Sequence, residues 1–181
     1  MKRATLGILL SALMIAGSAQ ANVNASDAAA VLTVKGNVTN VGSVCGVNVS
    51  QNNVSLAGNL DDLAPQSSVG GAPAATVELT IVGNTSCYEI LAHSKLAYRL
   101  LGTADNADGN VLANADTSAG AASGIGVRLA DRDGNTLAIN ESTLLAGSAP
   151  TRLGFNLVTL NGQEAIPGTV HSTLTIEVER L

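Results

Sequence analysis

Aromatic side chains are scarce. The 181 residues contain no Trp, and Tyr88, Tyr98 and Phe155 are the full aromatic set. Any core must therefore be built from Val, Leu, Ile and Ala, and a sugar site that stacks its ligand on indole has nothing to stack on. Positive charge is also in short supply, with 9 Lys and Arg against 14 Asp and Glu, a net charge of −5. That balance argues against a nucleic-acid partner and against binding anionic membranes. Long apolar runs are missing too. The longest, from Leu6 to Ala16, is too short to span a bilayer, and no stop-transfer segment follows it. Beyond it, no window sustains a helical apolar stripe for three turns.

What is present at the N-terminus is an export signal. Lys2 and Arg3 form a positive start, Leu6 to Ala16 is the short apolar stretch, and Ala19-Gln20-Ala21 is a small-x-small cleavage site. Residues 1–21 are expected to be removed, leaving Asn22 as the mature N-terminus. Without Lys2 and Arg3 the net charge is −7. The rest is one domain's worth of chain, long enough to bury a core. In an exported protein, two cysteines, Cys45 and Cys87, are expected to form one disulfide. A pair of thiols alone is a poor metal site.

Short runs of Val, Ile, Leu and Thr alternate with clusters of Gly, Asn, Asp and Ser, the pattern of strands and turns. Strands are predicted at 31–38, 47–49, 54–56, 76–82, 96–101, 125–130, 137–139, 153–160 and 170–178. Turn signals stand at Asp108-Gly109, Asp133-Gly134, Asn161-Gly162 and Pro167-Gly168. The Ala-, Gly- and Ser-rich stretch at 113–124 reads as a loop or weak edge segment. Spacing and composition predict an all-β sandwich or barrel.

No candidate catalytic, cofactor-binding or metal site emerges. Asp131-Arg132-Asp133-Gly134-Asn135 has a superficial likeness to a calcium loop but lacks the further oxygen ligands at fixed offsets. It is read as a hairpin turn. His93 and His171 fall in or near predicted strands and outside any nucleophile motif. Asp61-Asp62, close to Pro65, reads as a solvated loop. Six Asn-x-Ser/Thr sequons occur, beginning at Asn24 and Asn37, and they carry little information in so Asn- and Ser-rich a chain.

Four segments together resemble the pilin subunits of chaperone–usher (type 1-like) fimbriae of Gram-negative bacteria. Val31-Leu-Thr-Val-Lys-Gly-Asn-Val38 followed by Cys45 is similar to that family's alternating N-terminal strand with its glycine and first cysteine. Val77-Glu-Leu-Thr-Ile81 leading to Cys87 resembles the strand before the second cysteine. Gly124-Ile-Gly-Val-Arg-Leu-Ala-Asp-Arg-Asp-Gly134 looks like the family's Gly-Ile stretch and turn. Leu174, Ile176 and Val178 match its alternating last strand. Two departures stand out: Val178 takes the place of a frequent Tyr, and Val34 that of a usual Phe.

The resemblance implies an incomplete immunoglobulin-like β-sandwich lacking its final strand, completed by a donor strand from a partner. It divides the chain into a signal peptide (1–21), an N-terminal extension or donor strand (22–38) and a pilin domain (39–181). On period-2 alternation Leu32, Val34, Gly36 and Val38 share one face, the face expected to enter a neighbour's groove. The same run would read identically as the first strand of the chain's own sandwich. Leu174, Ile176 and Val178 are expected to face the core beside the groove, with the Leu181 carboxylate gripped by the chaperone. The implied partners are a periplasmic chaperone, an outer-membrane usher and neighbouring subunits. The implied function is non-enzymatic: a fimbrial subunit, exported through the periplasm to the cell surface, that supports cell adhesion. The alternative is a tip adhesin or another secreted ligand-binding β-sandwich module.

Overall fold

Alternation of apolar and polar residues decides where the strands lie and which face they bury. The computed structural model describes residues 44–68 and 70–181. Its strands, in chain order, are β1 (Cys45–Val49), β2 (Ala64–Pro65), β3 (Ala75–Gly83), β4 (Leu96–Gly102) and β5 (Leu112–Ala113). Then follow β6 (Ile125–Ala130), β7 (Thr136–Leu137), β8 (Thr143–Leu145), β9 (Thr151–Thr159) and β10 (Leu174–Arg180). A helix, α1 (Thr85–Ala92), joins β3 to β4, and a 3-10 turn occupies Leu60–Asp62. One sheet runs β1-β3-β9-β6-β5, with β7 added to β6 and β2 lying parallel to β9. The other runs β10-β4-β8. Apart from β2, every pairing is antiparallel.

The sheets face each other across one core. Val77, Leu79 and Ile81 of β3 and Val127 and Leu129 of β6 meet Leu96, Tyr98 and Leu100 of β4. Each such buried side chain contributes roughly 1.5–3 kcal/mol, so an aliphatic core can stand without Trp. Tyr98 lies fully buried there, and burial pushes its hydroxyl pKa up. The result is an incomplete immunoglobulin-like sandwich: both sheets are open, and their edge strands β1 and β10 lie side by side on one flank.

β6 is buried on both faces. Its outer face carries Arg128, 2% exposed, beneath a strap formed by residues 66–68 and 70–74. The guanidinium donates to the carbonyls of Ser68 (2.7 Å) and Gly70 (3.1 Å), and Asn156 Nδ2 donates to that of Ala72 (3.2 Å). At the strap's start the buried Gln66 amide donates to Asp105 Oδ2 (2.9 Å) and Asn110 Oδ1 (2.8 Å) and accepts from Asn161 N–H (3.2 Å). A buried amide with three partners is satisfied, so it fixes the strap rather than costing stability.

The predicted strands at 76–82, 96–101, 125–130 and 153–160 agree with β3, β4, β6 and β9 within two residues. Three others differ. Residues 54–56 form no strand, because no neighbouring strand pairs with them; Val54 and Leu56 pack half-buried against the core. The strand predicted at 170–178 begins only at Leu174, since Ala121, Asn114 and Ala113 capture Thr169 to Ser172 first. That predicted at 137–139 shrinks to β7. The α1 helix was not expected from the sequence. It starts where the Asn84 side chain accepts a hydrogen bond from Cys87 N–H (3.1 Å), a capping interaction. His93 therefore caps a helix C-terminus instead of lying in a strand.

Candidate functional site: an open groove between two edge strands

The expected disulfide is present. Cys45, the first residue of β1, bridges to Cys87 in the first turn of α1, with 5.5 Å between their Cα atoms. Cys87 thus lies not on β3 but in the helix that follows it. Close packing here requires Gly83. A Cβ at that position would lie 2.8 Å from Cys87 Cβ and would collide with the Val44 carbonyl. The bridge thus pins the outermost strand of the larger sheet to the helix.

Beyond that pin, β1 and β10 leave a cleft of about 450 Å³ open to solvent. Val47 and Val49 of β1 form one wall, and Leu174 and Ile176 of β10 the other. The floor is the core itself: Val77, Val127, Phe155, Leu157 and Leu112. The rim is polar, with Gln51 to Asn53 on one side and His171 and Ser172 on the other. Val54 and Leu56 extend the first wall. Their alternation made them look like strand, and their true role as groove lining has no separate sequence signal.

β10 behaves as its alternation predicted, with one exception. Leu174, Ile176 and Val178 are half-buried and packed against the core, while Thr175 and Glu177 are exposed. Glu179, which the same alternation would put on the polar face, is half-buried. Leu181 is 63% exposed, its N–H donating to the Lys95 carbonyl (3.0 Å). β10 pairs with β4 along one edge, and among the described residues no strand hydrogen-bonds to the other. An unpaired edge beside an apolar cleft is a template for a further strand.

The remaining motifs have structural roles. Asp131 closes the β6–β7 hairpin as expected, its carboxylate accepting from the N–H groups of Asp133 and Asn135 (2.9 Å each) and from Asn135 Nδ2 (2.9 Å). Burial opposes its ionisation, but these hydrogen bonds outweigh that and hold the pKa below the ordinary value. Gly134 takes φ +84°, which the turn requires. Asp61 and Asp62 are exposed in the 3-10 turn. His93 and His171 are exposed and 78 positions apart in sequence, at the C-terminal cap of α1 and on the groove rim. Among the described residues no helix is long and apolar enough to cross a membrane. Residues 1–21 and the expected donor-strand positions Leu32, Val34, Gly36 and Val38 lie outside the described residues.

Comparison with known proteins places the chain. No curated protein matches it. Among solved structures it is similar to an antigen and type I fimbria protein of Burkholderia pseudomallei, at 18% identity and a TM-score of 0.36 over 76% of this chain and 93% of that one. The family model for fimbrial proteins matches residues 32–179, most of the chain, and the protein therefore belongs to the fimbrial protein family, whose members build pili at the cell surface.

Proposed function

We propose that this chain is a structural subunit that polymerises by donor-strand exchange. The observation that carries the reading is the apolar groove between the edge strands β1 and β10. A partner strand laid there would satisfy the open backbone edge of β10 and cover Val47, Val49, Leu174 and Ile176 together. On this reading a periplasmic chaperone first fills the groove, an outer-membrane usher then mediates replacement, and the extension of the next subunit (residues 22–38) becomes the permanent occupant. Leu32, Val34 and Val38 supply its apolar side chains, and Gly36 passes where the groove leaves no room for one. Residues 1–21 direct export, and the fibre serves adhesion without a catalytic step.

The test uses a synthetic peptide of residues 29–40 and mature protein released from its chaperone. Binding should raise the melting temperature by several degrees and abolish aggregation, and a Gly36→Leu peptide should do neither. A mature chain that folds as a stable soluble monomer, with no chaperone or peptide, would overturn the proposal.

A further inference from the structure

Charge is absent from most of the groove and gathered at one place beside it. Residues 44–60, which hold β1 and the first wall, contain no charged side chain. Of the residues lining the cleft only His171 is ionisable, and it stands on the rim. The outer face of the β10-β4-β8 sheet is different. Arg99 of β4 and Glu177 of β10 are direct cross-strand partners, and both are exposed. On its other side Arg99 faces the neutral Thr143 of β8. Beyond Glu177 comes the open edge of β10. Among the described residues the ion pairs are Arg132–Asp133 and Arg152–Glu78, and neither Arg99 nor Glu177 joins one.

The N-terminal extension carries a matching charge. Residues 22–43 hold two charged side chains, Asp27 and Lys35. Lys35 falls on the polar side of the alternation, so it points away from the groove when Leu32, Val34 and Val38 face into it.

We propose that Glu177 reads Lys35 of a donor segment from a second copy, and that the row Arg99–Glu177–Lys35 sets the donor's register on β10. The inference rests on the strand-exchange reading and adds the contact that fixes the alignment. An antiparallel ladder, the arrangement β10 already has with β4, is the more stable per residue. With Lys35 opposite Glu177, Val34 lies opposite Val178, Gly36 opposite Ile176 and Val38 opposite Leu174. All three half-buried apolar positions of β10 are then met. A one-residue slip is excluded, because it would turn Lys35 into the groove. Two slips of two residues remain. One sets Lys35 beside Thr175 and pushes Val38 onto the polar Ser172. The other sets Lys35 beside Glu179 and brings Asn40 against Leu174. Opposite charges facing each other across a ladder favour their own alignment, and the uncharged first wall offers no competing carboxylate.

The experiment is a competition. The mature chain, released from its chaperone, is offered an equimolar mixture of the 29–40 peptide and its Lys35→Glu form. The bound fraction is read by mass spectrometry. The wild-type chain should prefer the wild-type peptide about fivefold at about 50 mM salt and less than about twofold at about 500 mM. A Glu177→Lys chain should reverse the preference. Lost stability in that variant cannot mimic the reversal, because both peptides compete for the same chain. An Asn37→Cys peptide should form a disulfide with a Thr175→Cys chain, and not with Thr173→Cys or Glu179→Cys, which mark the shifted and the parallel alignments. Equal uptake of the two peptides by both chains, or a crosslink at 173 or 179 instead, would overturn the proposal and leave strand exchange intact. Binding of neither peptide to either chain would sink the strand-exchange reading, and this inference with it.

Discussion

Removing the disulfide tests how the groove's first wall is held. The perturbation is Cys45→Ala with Cys87→Ala. The bridge joins residues 42 apart in sequence, and releasing a loop of that length returns about 4 kcal/mol of entropy to the unfolded chain. Cys87 is fully buried, and the lost sulfur leaves a small cavity that adds to the cost. For a domain of this size the guanidinium m value is about 4 kcal/mol/M, so the midpoint should fall by about 1 M. The assay is guanidinium denaturation of the peptide-complemented protein, followed by far-UV circular dichroism at constant peptide concentration. The loss should concentrate on β1, which is otherwise held by five paired residues of β3, so amide exchange at Val47 and Val49 should accelerate most. A midpoint shift under about 0.3 M with unchanged m would refute the reasoning. It would mean that the β1–β3 ladder and the groove occupant hold the wall unaided.

Three further predictions follow from local geometry. Ser94 ends α1 with φ 56°, so Ser94→Gly should stabilise by about 0.5–1 kcal/mol, seen as a rise of a few degrees in melting temperature. For Asp105, burial favours the neutral acid, but hydrogen bonds from the N–H groups of Val111 and Ala107 and from Gln66 prevail and lower the pKa. A depressed folded pKa adds stability above the unfolded value of about 4 that is lost as pH falls through the folded one; Asp105→Asn should flatten this acid limb in urea titrations between pH 5 and 2. Deleting residues 174–181 should abolish chaperone capture in a pull-down and lead to periplasmic degradation, whereas Glu177→Ala, on the exposed face of β10, should be captured like wild type.

Legibility from sequence followed the physics of each segment. β3 was plain because Val77, Leu79 and Ile81 alternate with polar neighbours on a half-exposed sheet. β6 was legible for another reason: buried on both faces, it reads as a continuous apolar run broken only by Arg128, whose charge is met by strap carbonyls and not by solvent. The α1 helix was missed because eight residues give two turns, too few for a stripe, and its signal is the Asn84 cap. The groove was half legible. Leu174, Ile176 and Val178 announced their face, but Val54 and Leu56 alternate like a strand while having no partner strand, and nothing local separates those cases. The network of Gln66, Asp105 and Asn110 spans 44 positions and leaves no local trace.

The groove is cut into the core itself, and this ties folding to assembly. Val77, Val127 and Phe155 form its floor while belonging to β3, β6 and β9, the central strands of the larger sheet. An occupant strand therefore removes water from residues that the domain must bury to be stable at all. Apolar surface taken from water stabilises at about 25 cal/mol per Å², so an occupant adds to stability in proportion to the apolar side chains it covers. On the proposed function the occupant would act as part of the fold. The aliphatic composition fits this arrangement. The groove is walled by the aliphatic Val47, Val49, Leu174 and Ile176, and on the proposed function the aliphatic Leu32, Val34 and Val38 would meet them.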